Sequence, residues 1–306
     1  MGIWYQLRAR FILVCTSKHD DFYGPCIANK TKIIQLWHGI PLKKIMYDAF
    51  TVQEKNIKGK LFTLLTPYNN HKNDYVTATS QLTQNILSKA FRVPKLRTII
   101  TGFPRNDVFL RPLASSKDNI YKCIYMPTHR GGLGADCEMF QKYDFDFKSV
   151  EQKLAQNNIE LTLRMHPFNK PPKELIKLIE KSTLINLDYT PDIYETILNY
   201  DCLITDYSSI YFDFMLTDKP IIFAPFDLDS YKKNERALYF DFPDVTLKPY
   251  CLNWPTVIAR LIDIKEQRIT DDYKSEYQAL KLKFHAKPDK KFTTYSKKLF
   301  EKLIKL

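Results

Sequence analysis

The chain has 306 residues, of which 44% are hydrophobic and 14% aromatic, a composition that excludes a disordered polypeptide. This length exceeds what one hydrophobic core usually holds, so we expect two α/β domains. Lys and Arg outnumber Asp and Glu by 46 to 34, which gives a formal net charge of +12. That excess predicts an anionic partner, with nucleic acid, anionic lipid and a phosphate-rich substrate all open.

Several other protein classes are excluded by missing motifs. No apolar run approaches the roughly 18 residues that span a bilayer, and no targeting signal is visible, so a soluble or peripheral protein is predicted. The six cysteines are scattered and contain no C-x-x-C pair, which indicates reduced thiols in the cytosol. No metal-binding spacing, P-loop ending, G-x-S-x-G elbow or nucleic-acid module occurs, and neither a metal nor another cofactor is predicted.

The first part of the chain alternates short apolar strands with one clear helix, which predicts a first α/β domain over residues 1–112. The segment 111–119 has the composition of a linker. The predicted strands are 11–15, 32–37, 74–78 and 98–101, and the predicted helix is 81–91.

Polar residues follow two of these strands. His38 comes directly after a strand and before a turn that starts at Gly39, so it can project into a cleft and accept a proton from a hydroxyl. A hydrogen-bonded structural histidine is the alternative. Lys43 and Lys44 could bind a phosphate or simply be solvated. After the fourth strand, Arg105 offers a planar fork for phosphate oxygens, with an ion pair to a neighbouring aspartate as the alternative.

From about residue 121 the strands and helices alternate regularly, as a parallel sheet with crossover helices requires. We assign residues 113–306 to a second domain. Ligands of open α/β sheets bind at the carboxyl ends of the strands, so the polar loops that follow these strands should share one rim. The predicted strands are 121–126, 159–165, 183–187, 202–205 and 220–223, and the predicted helices are 148–156, 172–181, 192–199 and 208–216.

The strand 202–205 leads into the most informative loop. Its residues Thr205, Asp206, Ser208 and Ser209 lie at the start of a predicted helix, whose free N–H groups and dipole favour a bound phosphate. Simple capping of the helix by one of these side chains is the alternative. Arg164 and His166 follow the strand 159–165, and a closing cleft would let that histidine meet the one in the first domain across the substrate.

The last residues, 295–306, place apolar side chains at helical spacing opposite a face of lysines. Such a helix either lies on an anionic membrane or packs on the fold with its lysines in solvent.

Seven segments, taken in their order, resemble the CDP-glycerol glycerophosphotransferase family, the primases and polymerases of wall teichoic acid and related capsule polymers. The resemblance extends from about residue 5 to about residue 245, and the ordered set is specific although each segment alone is weak. The segments are 35–44 (QLWHGIPLKK), 102–107 (GFPRND), 125–130 (YMPTHR), 164–167 (RMHP), 203–209 (LITDYSS), 219–229 (KPIIFAPFDLD) and 239–242 (YFDF).

This resemblance implies a GT-B architecture, in which two Rossmann-like domains face each other across a cleft and the second binds most of the activated donor. It implies that His38 and His166 are the catalytic histidines, and that Thr128, Arg130 and the 205–209 loop hold the CDP moiety. The implied reaction is attack by a hydroxyl of a lipid-linked acceptor on the distal phosphorus of CDP-glycerol, with release of CMP, at the inner face of the cell membrane. His38 is then the general base and His166 a donor to phosphate.

Three alternatives stay open at this point. A CDP-ribitol type of donor would leave the same sequence pattern. A non-catalytic relative that binds a nucleotide or polymer is favoured by a first domain that is shorter than the family's. A nucleic-acid-binding protein is disfavoured because the basic residues are dispersed. His129, Gly131 and Gly132 also depart from the family pattern and indicate a reshaped donor loop, and residues 284–291 are more basic than expected.

Overall fold

The structure of the chain is a computed structural model. It describes residues 2–16, 21–49, 72–112, 119–130, 135–136, 139–167, 169–234, 237–287 and 293–305. Gly131, Gly132, Cys137 and most of the predicted linker lie outside these residues.

The regular elements of the described residues are eleven strands and nine α-helices. The strands are β1 (Phe11–Val14), β2 (Lys32–Gln35), β3 (Tyr75–Ala78), β4 (Thr98–Ile100), β5 (Tyr121–Met126), β6 (Ala135–Asp136), β7 (Ile159–Leu163), β8 (Asn169–Lys170), β9 (Ile185–Leu187), β10 (Cys202–Thr205) and β11 (Ile221–Phe223). The helices are α1 (Gly2–Arg8), α2 (Gln81–Ala90), α3 (Phe147–Gln156), α4 (Lys173–Ile179), α5 (Ile210–Phe214), α6 (Leu228–Asn234), α7 (Trp254–Lys265), α8 (Asp271–Phe284) and α9 (Tyr295–Leu303).

The first of two compact units comprises Met1–Asp107 and Leu282–Leu306. Its sheet is parallel with the order β1-β2-β3-β4. Strands of a parallel sheet are covered on both faces and therefore read as apolar runs, and Ile33, Ile34 and Val76 are fully buried here. Helix α2 follows β3 and begins with a reciprocal capping box between Ser80 and Thr83.

The second unit comprises Val108–Lys281 and contains a five-stranded parallel sheet of order β11-β10-β5-β7-β9. Tyr125 and Trp254 are among the largest fully buried side chains of its core. The indole N–H of Trp254 donates to the carbonyl oxygen of Met139 at 2.8 Å, so burial leaves no unpaired donor there. Because all five strands run the same way, their carboxyl ends meet along one edge of the sheet.

Each of the nine predicted strands is present, and β5 and β10 have the predicted ends. Two predicted helices are wrong in form. Residues 192–199 form two 3₁₀ turns, Ile193–Glu195 and Ile197–Asn199, because the side chain of Asp192 caps the first turn locally. The predicted helix 208–216 is only the short α5 followed by a 3₁₀ turn, which ends where Asp218 adopts a left-handed conformation (φ 58°).

The position of helix α9 differs from the domain division predicted from the sequence. Its residues Leu299 and Leu303 are 3% and 5% exposed and pack with Ile34 of β2, so the helix belongs to the first unit rather than to the second. The apolar face that we considered for membrane binding is therefore used mainly in packing, while Phe300 and Ile304 remain exposed.

Gly102 is required by the packing of this same helix. It has a left-handed backbone (φ 80°), and a Cβ atom there would overlap the ring of Tyr295. We expect Gly102→Ala to lower the free energy of unfolding by about 1–3 kcal/mol, because it adds a steric clash to an unfavourable backbone conformation. Urea unfolding measures the change. Gly2→Ala is the matched control, since nothing lies within 4 Å of the added Cβ; equal stability of the two variants would contradict the expectation.

None of the helices in the described residues combines the length and the apolar composition that a membrane crossing needs. Cys15, Cys26, Cys123, Cys202 and Cys251 carry free thiols.

Candidate functional site

A cavity of about 700 Å³ lies at the carboxyl ends of strands in the second unit. Three of the predicted site residues line it: Arg164 and His166 after β7, and Ser208 after β10. Asn169, Asp188 and Thr190 add polar atoms, and the rest of the wall is largely apolar. Such a cavity, apolar with a few convergent polar groups, is typical of a small-molecule site. The expectation that polar loops share one rim of this sheet is therefore confirmed.

Arg130 is anchored by two carboxylates near this rim. Its Nε and Nη2 donate to both oxygens of Asp227 at 2.7 and 2.9 Å, and Nη2 also donates to Asp206 at 2.8 Å. Its Nη1 donates to the carbonyl oxygens of Thr128 and His129. Burial alone would lower the pKa of Arg130, but the two carboxylates outweigh it and raise that pKa. Every nitrogen of the guanidinium group is thus used by protein acceptors.

Two tyrosine rings and one asparagine complete the surroundings of this arginine. The guanidinium carbon lies 5.1 Å from the ring centre of Tyr207 and 5.0 Å from that of Tyr231, and the two rings stack at 3.7 Å. The backbone of Arg130 exchanges two hydrogen bonds with the buried side chain of Asn169. The loop after β5 is therefore fixed through both its backbone and its side chain.

The loop after β10 is held by buried contacts. Asp206 is fully buried and accepts hydrogen bonds from the backbone N–H groups of Thr128 and Tyr207. The hydroxyl of Thr205 donates to the carbonyl oxygen of Met126 at 2.7 Å. Both residues therefore join β10 to the loop after β5.

Ser208 and Ser209 stand at the start of the short helix α5. Both are half-buried, and neither side chain hydrogen-bonds to another described residue or caps the helix. Their hydroxyl groups are therefore available to a ligand, and that of Ser208 lines the cavity.

Arg164 presents part of its guanidinium group to the cavity. Nη1 donates to Asp188 at 2.7 Å and to the hydroxyl of Thr190 at 2.9 Å. Burial would raise the pKa of Asp188, but its bonds to Thr190 and Arg164 outweigh burial and lower it. Within the described residues Nε and Nη2 have no acceptor, so these two donors can reach an anionic ligand.

His166 lies beside a second histidine, His129, with ring centres 4.9 Å apart. Burial lowers the pKa of His166 from its ordinary value of 6.5, and the charge of His129 lowers it further. The folded chain therefore binds fewer protons than the unfolded chain as the pH falls. The contribution of His166 to stability is full above pH 6.5 and declines below it.

We expect His129→Ala to raise the pKa of His166 part of the way back towards 6.5, because it removes the like charge but not the burial. Titration of the histidine C–H resonances by NMR measures the change. A pKa of His166 that stays the same or falls would contradict this reading of the pair.

His38, in the first unit, follows β2 and is exposed. Its Nδ1 lies 3.0 Å from the carbonyl oxygen of Cys15. A carbonyl group can only accept, so Nδ1 carries the proton and Nε2 of the neutral ring is left as the proton acceptor. The preceding Trp37 has a left-handed backbone (φ 60°), and its ring lies 3.9 Å from that of His38. A left-handed backbone is unfavourable for a residue that carries a Cβ atom, and such backbone strain is often found at functional sites.

The remaining predicted residues of the first unit flank this histidine. Gly39 is buried, and Lys43 and Lys44 are half-buried. Burial raises the pKa of Cys15, whose carbonyl oxygen holds His38; the charge of Asp21 raises it further, and the charge of Arg105 acts to lower it. Arg105, predicted with the donor-binding residues, thus lies in the same unit as His38.

Some residues of the second-unit site were not predicted from the sequence. Asp227 follows β11 and could have been found by the same strand-end rule. Asp188 follows β9 and could have been found in the same way. Asn169 lies on β8, and no sequence signal marks its bond to the loop after β5. Among the described residues, no group of three or more His, Cys, Asp or Glu side chains could hold a metal ion.

Two α/β units, each built on a parallel sheet with polar side chains at its strand ends, define a protein of the GT-B class. Comparison with solved structures confirms this fold. A structure of a variant of the wall teichoic acid polymerase TagF matches with a TM-score of 0.73 at 21% sequence identity, over 97% of this chain and 73% of that chain.

The chain belongs to the CDP-Glycerol:Poly(glycerophosphate) glycerophosphotransferase family, which matches residues 3–300, and it is therefore a transferase. It is 29% identical to a teichoic acid poly(glycerol phosphate) polymerase of Bacillus spizizenii, over 90% of this chain and 71% of the relative. It is 28% identical to a teichoic acid glycerol-phosphate transferase of Staphylococcus aureus, over 85% of this chain and 68% of the relative. The family resemblance seen in the sequence is confirmed.

Proposed function

We propose that this chain transfers glycerol phosphate from CDP-glycerol to a hydroxyl group of a polyol-phosphate polymer and releases CMP. The family supplies the reaction class. The observation that carries the proposal is the cavity of about 700 Å³ lined by Arg164, His166 and Ser208, which has room for a nucleotide and donors for a diphosphate.

The donor is held by the second unit in this proposal. Nε and Nη2 of Arg164, the hydroxyl groups of Ser208 and Ser209 and a ring N–H of His166 bind the diphosphate oxygens. Neutral His166, favoured by its lowered pKa, can still donate one hydrogen bond. Thr128, Thr205 and Asp206 keep the donor loops in place.

Arg130 has a positioning role rather than a binding one in this scheme. Its donors are directed to Asp206, Asp227 and two carbonyl oxygens, and a phosphate would have to displace one of them. It fixes the loop after β5 against the loop after β10, and so sets the shape of the donor site.

His38 is the general base of the transfer step. Its Nε2 takes the proton of the acceptor hydroxyl as the oxygen forms a bond to the distal phosphorus of CDP-glycerol. The bond from that phosphorus to the bridging oxygen breaks, and CMP leaves with the electron pair. Hydrogen-bond donors of the donor site stabilise the charge that grows on the leaving phosphate. Arg105, Lys43 and Lys44 attract the phosphates of the acceptor beside His38 and Gly39.

The acceptor is a membrane-linked polymer, and the protein works at the inner surface of the cell membrane. The net charge of +12 supports attraction to anionic lipid and to a polyphosphate chain.

Release of CMP tests the proposed function. The full chain is incubated with CDP-glycerol and a glycerol-phosphate oligomer, and CMP is measured against time, with CDP-ribitol as the alternative donor. We expect CMP only when donor and acceptor are both present, and faster with CDP-glycerol. Binding of CDP-glycerol without any CMP release would instead support a non-catalytic relative, and a preference for CDP-ribitol would change the substrate.

A further inference from the structure

Gln35 is a buried glutamine at the carboxyl end of β2, three residues before His38. It is 2% exposed, although glutamine is mostly found on protein surfaces. Its Nε2 donates to the carbonyl oxygen of Thr16 at 3.0 Å, and its Oε1 accepts from the backbone N–H of Trp37 at 2.9 Å. Burial of an amide is costly unless it is hydrogen-bonded, and both ends of this amide are used. The side chain therefore joins the loop after β1 to the loop after β2.

The two partners of this side chain require a neutral amide. The carbonyl group of Thr16 can only accept a hydrogen bond, and the backbone N–H of Trp37 can only donate one. The group between them must therefore donate at one end and accept at the other. A glutamate carboxylate has the same size but only accepts, so it would face the carbonyl oxygen of Thr16 without a proton.

The bond to Trp37 holds an unfavourable backbone conformation. Its φ of 60° lies in a region that bulky residues rarely adopt. The preceding Leu36 still belongs to the sheet, since its N–H donates to the carbonyl oxygen of Val14 at 2.8 Å and its carbonyl oxygen accepts from the hydroxyl of Thr77 at 2.9 Å. Oε1 of Gln35 thus binds the first N–H beyond the strand. A strained conformation persists only where the surrounding contacts fix it, and this bond is such a contact.

The same two loops hold the ring of His38. On the side of β1, its Nδ1 donates to the carbonyl oxygen of Cys15, the residue before Thr16, at 3.0 Å. On the side of β2, the ring of Trp37 lies 3.9 Å from the imidazole ring. Gln35 therefore binds the neighbour of one contact of His38 and the backbone of the other. A shift of either loop would change the position or the tautomer of the imidazole ring.

We propose that Gln35 is a positioning residue for the transfer step. It fixes the carbonyl group of Cys15 and the ring of Trp37 around His38, and so keeps Nδ1 protonated and Nε2 free for the proton of the acceptor hydroxyl. Gln35 is buried and acts through His38 rather than on the substrate. The inference rests on the proposed function for the role of His38, but the geometry that it assigns to Gln35 can be tested without any reaction.

NMR of the histidine ring nitrogens tests this geometry in the full chain without substrate. Long-range proton–nitrogen correlation spectra at alkaline pH distinguish a neutral ring with its proton on Nδ1 from one with its proton on Nε2, and the spectrum of His38→Gln identifies the signals of His38. We expect the proton on Nδ1 in the wild type. Gln35→Glu should give a mixture of the two tautomers, because it loses the bond to Thr16 only. Gln35→Met loses both bonds and should give a larger share of the Nε2 tautomer.

CMP release measures the consequence for the reaction. We expect both Gln35 variants to lower kcat by about 10–10²-fold, because a misplacement of about 1 Å at a reacting group can cost on the order of 10²-fold. The KM for CDP-glycerol should stay nearly unchanged, since the donor is assigned to the second unit. Gln6→Met is the matched control: Gln6 is also buried in the first unit and bonds through both ends of its amide, to the carbonyl oxygen and the N–H of Tyr23. It should keep the wild-type tautomer and kcat.

The inference is overturned if Gln35→Glu and Gln35→Met keep the wild-type tautomer and kcat, because Gln35 would then contribute to stability alone. It is also overturned if Gln6→Met changes both quantities by as much. A change of tautomer in both Gln35 variants of a chain that releases no CMP would support the positioning of His38 by Gln35 and contradict only the proposed function.

Discussion

Replacing Arg130 by alanine will lower the free energy of unfolding by about 3–5 kcal/mol, because it leaves two carboxylates without their common partner. Asp206 is fully buried, and the side chain of Asp227 is 16% exposed, so water cannot replace the lost bonds well. Burial would raise the pKa of Asp227, but the hydrogen bonds and charge of Arg130, together with a hydrogen bond from Tyr207, outweigh burial and lower it. Urea unfolding at neutral pH measures the loss.

Arg268→Ala is the matched control for this experiment. That arginine also pairs with two carboxylates, Asp263 and Glu266, but its side chain is 56% exposed. Exposed pairs contribute only about 0–1 kcal/mol. Arg130→Lys should recover only part of the stability, since an ammonium group has too few donors for the four acceptors. Equal effects of Arg130→Ala and Arg268→Ala would contradict the anchoring role.

Replacing His38 by alanine will slow CMP release by about 10²–10⁴-fold, the usual contribution of a general base. Binding of CDP-glycerol should be nearly unchanged, because the donor is assigned to the second unit. The hydrogen bond from Nδ1 to the carbonyl oxygen of Cys15 leaves Nε2 as the basic atom, so His38→Gln should be as inactive as His38→Ala. Single-turnover CMP release and calorimetric donor binding measure the two quantities.

The pattern of losses decides what His38 does. Lost donor binding with an unchanged rate at saturation would remove the general-base assignment. An unchanged rate and unchanged binding would make His38 a structural histidine, the alternative that the sequence left open.

Much of the fold followed from local pattern. The strands β5 and β10 are continuous apolar runs bounded by polar residues, and their ends were predicted without error. The predicted helix at residues 192–199 is instead two 3₁₀ turns, because the side chain of Asp192 caps the first turn locally. Helix α9 was predicted as a helix, but the sheet on which its leucines pack could not be predicted, since amphipathicity does not specify a partner.

The site shows the same division between local and long-range information. The strand-end rule found Arg164, His166 and Ser208, which line one cavity. The family resemblance indicated Arg130, but not its role, because that role depends on Asp206 and Asp227, which lie 76 and 97 residues away. Which ion-pair partners meet across such long sequence separations depends on the tertiary fold, so it cannot be predicted from the local sequence.

The central claim is that the rim of the second sheet binds the CDP-activated donor, and hydrogen–deuterium exchange with and without CDP-glycerol tests it most directly. We predict slower exchange in peptides that cover residues 126–130, 164–167, 187–191 and 205–209, with little change in helix α7 on the core of the same unit. Protection confined to other parts of the chain, or none at a concentration of donor that supports CMP release, would contradict the account.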